Sequence, residues 1–167
     1  MQNLVVSVFL LLFSVTAQAQ QPLPAAADFP VASVFEGKSA MPDFKTRDKD
    51  FVDFRTRIRE GMEEGPNFAG EYSFVSAGCG TGCSMSFVAN NRTGQVFAFP
   101  LSGEDYSYLQ TVFQLDSRLL IAQYASFDTN ECLQVHYDFQ NGTWEQLGKS
   151  SIGNIEICYN TIEENLR

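Results

Sequence analysis

Cys79, Cys83, Cys132, Cys158, the single histidine His136 and a glycine-rich loop are the residues of this 167-residue chain whose types and spacing can do chemistry. Thiolates can exchange disulfides or hold a metal, whereas cysteines bonded to each other do neither. The Cys79/Cys83 spacing is CxxxC rather than CxxC, and no βαβ pattern surrounds it, which argues against a thioredoxin-like redox site. Cys132 and His136 stand four apart. On an extended strand they would be separated by about 13 Å, far beyond the span of one tetrahedral zinc. Any Ser or Cys nucleophile with a histidine base would have to use His136, which strand alternation sets on an outward face; no nucleophile-elbow motif accompanies it. The reading therefore assigns no catalytic, cofactor-binding or metal-binding residue. An even number of cysteines implies two disulfides, and of the three possible pairings Cys79 with Cys83 and Cys132 with Cys158 is favoured, since each pair comes from one neighbourhood of the chain. In Gly78-Cys79-Gly80-Thr81-Gly82-Cys83-Ser84 the alternating glycines can aim several backbone N–H groups at one anion or carboxylate. Gly78, Gly80, Thr81, Gly82 and Ser84 are thus the candidate binding loop.

Disulfides presuppose an oxidising compartment, and the amino terminus supplies a route to one. Leu4 to Val15 is an apolar run broken only by Ser7 and Ser14, and Ala17-Gln18-Ala19 has the small-X-small form of a signal-peptidase site. Residues 1–19 are read as a signal peptide, too short in its apolar run to serve as a stable membrane anchor. The expected destination is the periplasm or the exterior. The formal net charge of −9 repels a phosphate backbone, so nucleic acid is excluded as a partner and a cationic one is permitted.

Residues 20–42 are rich in Pro and Ala and read as an extended lead-in, with Val31, Val34 and Phe35 as docking points; residues 43–167 form one domain. From about Thr46 to Glu64, Phe51, Phe54, Ile58 and Met62 recur at three- and four-residue steps, predicting an amphipathic helix ended by Gly65-Pro66. Its Arg and Lys residues are interleaved with acids, as on a solvated face. Beyond Pro66 the period becomes two. Eight strands are predicted, near residues 70–76, 84–90, 95–99, 109–114, 119–124, 132–140, 143–147 and 154–159. Asn141-Gly142 marks a two-residue hairpin that sets Phe139 opposite Trp144 and Asp138 opposite Glu145, a like-charge pair tolerable only in water or beside a cation. Leu133, Val135, Tyr137 and Phe139 should face the core, and Gln134, His136, Asp138 and Gln140 the solvent. The expected fold is α+β: one N-terminal amphipathic helix on a single antiparallel meander of six to eight strands.

Gly65-Pro66-Asn67-Phe68-Ala69-Gly70-Glu71-Tyr72, the loop Gly78 to Cys83 and the Thr93-Gly94 turn resemble an uncharacterised family of small exported bacterial proteins. Asp116-Ser117-Arg118-Leu119-Leu120 and the aromatic strand ending at Asn141-Gly142 extend the likeness, and Ala77 stands where that family carries Trp. The resemblance implies export but brings no activity with it. A fainter similarity to periplasmic lysozyme inhibitors suggests a rigid, protruding cysteine-bounded loop, although the inhibitors' histidine is absent from it. The leading expectation is a non-enzymatic binding or inhibitor-like module for an unknown protein or small ligand. Its rivals are an envelope hydrolase using paired carboxylates and a purely structural envelope protein.

Overall fold

An α-helix is about 10 Å wide and strands lie about 4.8 Å apart, so one short helix can cover two or three strands and no more. The computed structural model, which describes residues 24–81 and 83–166, resolves that mismatch with two sheets instead of one. The signal segment and Gly82 lie outside the described residues. Strands β1 (Tyr72–Gly80), β2 (Cys83–Asn90) and β3 (Val96–Ala98) form one antiparallel sheet. A second is built from β4 (Ser107–Phe113), β5 (Leu119–Ser126), β6 (Glu131–Gln140) and β7 (Thr143–Asn154). The α+β class stands, and the single meander is corrected to three plus four strands. The break falls at Phe99 to Tyr106, where Pro100 has no N–H to donate and Gly103 takes φ +102°.

The two sheets enclose an aromatic core. Phe68, fully buried at its centre, lies 5.6 Å from Phe113 and Phe139 and stacks on Trp144 at 5.9 Å. The Asn141-Gly142 hairpin forms with both residues at positive φ, and Phe139 pairs with Trp144 across it at 4.4 Å. Asp138 does face Glu145 in register, and the cation beside it is Arg118, whose Nε donates to Asp138 Oδ1 at 2.9 Å.

The helix starts later than its periodicity suggests. Residues Lys49–Phe54 wind as a 3-10 helix and only Arg55–Glu63 is α-helical (α1). Carboxylates upstream offer the backbone other partners: Asp43 accepts from the Lys45 and Thr46 N–H groups, and Asp48 from that of Asp43. Asp48 is buried and also accepts from Val96 N, so it is not part of a solvated face. Ile58 and Met62 pack with Phe87, Ala89 and Val96 on the outer side of the three-stranded sheet. Gly61 permits this approach, because a Cβ there would stand 2.4 Å from a Val75 methyl.

Two further corrections concern the ends of the chain. The segment read as an eighth strand is a 3-10 helix, Ile155–Tyr159, followed by the short helix α2 (Ile162–Asn165). This carboxyl-terminal cap covers the outer face of the four-stranded sheet and is tied to β6 by the Cys132–Cys158 disulfide. The lead-in from Pro24 onward is bonded to the domain: Pro30 bridges Ser117, Val31 N donates to Asp116 O, and Phe35 N donates to Gly70 O. Val31 and Phe35 are partly covered, while Val34 stays exposed.

Candidate functional site

The Gly65-to-Tyr72 motif is a construction element. Asn67 holds both backbone groups of Phe74, its Oδ1 accepting from Phe74 N at 2.7 Å and its Nδ2 donating to Phe74 O at 3.3 Å. It thereby replaces a missing strand partner beside β1. Ala69 and Gly70 turn the chain at positive φ, with Gly70 packed so closely that a Cβ would lie 2.4 Å from Ser33 O. Glu71 reaches Arg92 Nε at 2.8 Å and Asn90 Nδ2 at 2.8 Å, and Tyr72 closes the aromatic core.

That construction sends β1 outward into the loop singled out above. β1 and β2 pair from Tyr72↔Asn90 to Gly80↔Cys83, with an irregularity between Gly78 and Gly80, so the loop is the tip of a long hairpin. Cys79 and Cys83 are bonded across it, their Cα atoms 5.2 Å apart. Gly78, Cys79, Gly80 and Thr81 are exposed, and Ser84 is half-buried. A Cβ added to Gly78 or Gly80 would meet nothing within 4 Å, so open space surrounds both. Gly80 has φ +141°, a value side chains rarely adopt. At the base, Gly103 N donates to Ser84 O at 2.8 Å, bracing the hairpin on the segment that joins the two sheets. Gly78, Gly80, Thr81 and Ser84 are thus brought together at one tip, and all four cysteines are committed to disulfides.

His136 is placed differently from the sequence expectation. It is 3 % exposed, and burial holds its pKa below the ordinary histidine value. Gln134 and Asp138 on the same face of β6 are buried as well, leaving Gln140 the exposed member of the four. His136 Nε2 and Gln134 Nε2 are enclosed without a hydrogen-bond partner among the described residues. Among the described residues, nothing nucleophilic is bonded to the imidazole.

Three grooves bear on the catalytic alternative. Between the lead-in and the sheet ends, a cleft of about 250 Å³ is lined by Val31, Ser33, Glu71, Tyr72, Arg118 and Asn141. Sequence reasoning missed it, because its walls come from segments far apart in the chain. Glu71 is its carboxylate and is spent on Arg92 and Asn90, while Arg118 is spent on Asp138. A second groove, beside α1, carries Glu60 and Glu64, and a third carries Glu63 and Glu64. All three glutamates are exposed, and Glu60 pairs with Arg57. Glycoside hydrolysis uses a facing pair of carboxyl groups, one of them sheltered from water; Glu60, Glu63 and Glu64 are open to solvent.

The site therefore belongs to a disulfide-bonded α+β domain of two facing antiparallel sheets with a disulfide-closed hairpin tip. No family model, no curated protein and no solved structure matches the chain. No helix among the described residues is long and apolar enough to cross a membrane. Disulfides of this kind form and persist in oxidising compartments.

Proposed function

We propose that this chain is an exported, non-enzymatic binding module that presents the hairpin tip Gly78 to Ser84 to a partner protein or small ligand. One observation carries the reading: the tip is exposed and uncrowded, yet closed by the Cys79–Cys83 bridge and braced through Ser84. A loop rigid before contact loses little conformational freedom on binding, so more of its contact energy appears as affinity. The exposed glycines leave room for a partner to approach the backbone closely.

The test is capture. The purified chain, immobilised, is presented with envelope extract of the producing bacterium beside two variants, Thr81→Trp and the pair Cys79→Ala with Cys83→Ala. Recovery of the captured species is expected to fall at least tenfold with either variant. Equal recovery from all three would refute the assignment of the tip.

A further inference from the structure

A second exposed surface lies on the four-stranded sheet. Tyr108 has φ +54°, a conformation in which a bulky side chain is a genuine outlier. It sits in the irregular stretch of β4 between Ser107, paired with Ala125, and Gln110, paired with Gln123. The irregularity inserts one residue into the alternation, so that Tyr106 and Leu109 both pack on the aromatic core. Tyr108 is turned away from that core. Its ring, half exposed, lies 5.1 Å from that of Tyr159 and 6.5 Å from that of Phe127, which are exposed by 59 % and 64 %. Single exposed aromatics are ordinary, but three converging from β4, the β5–β6 turn and the carboxyl-terminal cap make a patch.

The sequence that carries this patch is predominantly acidic. Residues 93–167 carry ten Asp and Glu against three bases, Arg118, Lys149 and Arg167, a formal charge of −7, whereas residues 24–92 carry ten against eight. Arg118 is engaged on Asp138, and Lys149 lies over the Tyr124 ring. Asp128 follows Phe127 directly, and Glu156 precedes Tyr159 by three residues in a 3-10 helix, where that spacing puts both on one face. Glu104 and Asp105 lead into β4. Exposed rings with acidic neighbours in sequence suit a guanidinium or ammonium group, which gains from the ring quadrupole and the field together.

We infer that Tyr108, Phe127 and Tyr159 form a docking surface for an arginine- or lysine-bearing segment of a basic partner protein. This surface goes beyond the hairpin tip and does not depend on it. A neutral sugar would use the rings and leave the charge unexplained, and an anionic lipid surface would be repelled.

The probe is a short fluorescein-labelled peptide alternating arginine and glycine, titrated with the purified chain at low salt and followed by anisotropy. Saturable binding is expected, weakened several-fold at about 0.3 M salt. Tyr108→Asn keeps a residue that tolerates this backbone and removes the ring, so affinity should fall about tenfold while the melting midpoint holds or rises. Phe127→Ser, at a still more exposed position, should fall similarly and keeps the test decisive if the first variant misfolds. Opening the hairpin with Cys79→Ala and Cys83→Ala should leave peptide affinity unchanged; a loss as large as that of Tyr108→Asn would move the binding to the tip and overturn the inference. Undiminished peptide binding by Tyr108→Asn and Phe127→Ser would overturn it too, as would binding of a neutral pyranose oligomer or of phosphatidylcholine vesicles in place of the peptide.

Discussion

Replacing both cysteines of one bridge with alanine, then both of the other, separates a disulfide that holds the fold from one that shapes a site. Cys132 and Cys158 are 26 residues apart, and loop closure alone makes their bond worth about 3.5 kcal/mol; the Cys79–Cys83 loop, with a separation of 4, yields about 2 kcal/mol. The environments widen the gap. Cys132 and Cys158 are fully buried with Ala125, Ile152, Ile155 and Ile157, so losing two sulfurs should add about 1 kcal/mol for the unfilled space, whereas Cys79 is exposed. Against a total of about 5–15 kcal/mol, opening the long bridge removes a large share of the stability. Equilibrium unfolding in guanidinium chloride reads this directly: with a slope of about 4 kcal/mol/M, the midpoint should fall by about 1 M for the long bridge and about 0.5 M or less for the short one. The reverse order, or a loss under about 1 kcal/mol for the long bridge, would refute the reasoning that the carboxyl-terminal cap is clamped by Cys158.

Burial of His136 sets a pH dependence with a definite sign. Its folded pKa lies below the ordinary 6.5, so the unfolded state binds the extra proton first as pH falls; stability should drop from about pH 6.5 downward until the folded histidine itself titrates, and unfolding midpoints of the wild type and His136→Leu across that window should converge toward acid. As the lone histidine, it gives a single imidazole NMR signal whose titration should move toward 6.5 when the long bridge is opened. Gly70→Ala forces a Cβ against Ser33 O at φ +78° and should cost about 2–3 kcal/mol, with tryptic cleavage after Lys38 accelerated as the lead-in detaches. Asn67→Ala leaves the Phe74 backbone unpaired beside β1 and should cost about 1–2 kcal/mol in thermal or chemical unfolding.

Features set by neighbours in sequence were the legible ones. The Asn141-Gly142 turn fixes its own register, and with it the Phe139–Trp144 pair, because a two-residue turn leaves no slack. The stripe from Phe51 to Met62 and both cysteine pairings are similarly local. What escaped the reading depends on a second layer. Ile155, Ile157 and Tyr159 alternate as a strand would, but β7 runs on to Asn154 and occupies the edge of β6, so the segment folds over the sheet as a cap. His136, Gln134 and Asp138 are buried, although alternation alone sets them in water. The cleft beneath the lead-in and the exposure of Tyr108 were likewise invisible, since one needs four distant segments and the other an inserted residue in β4. The hairpin tip was legible as a loop; its bracing by Gly103 was not.

The claim that binding runs through the Gly78-to-Ser84 tip is tested most directly by a photo-crosslinking residue placed at Thr81, with one at the exposed Glu145 as reference. Irradiation in envelope extract should yield a discrete adduct from position 81, absent from position 145 and lost when the Cys79–Cys83 bridge is removed. No adduct at 81, or the same adduct from both positions and from the bridge-free chain, would contradict the account.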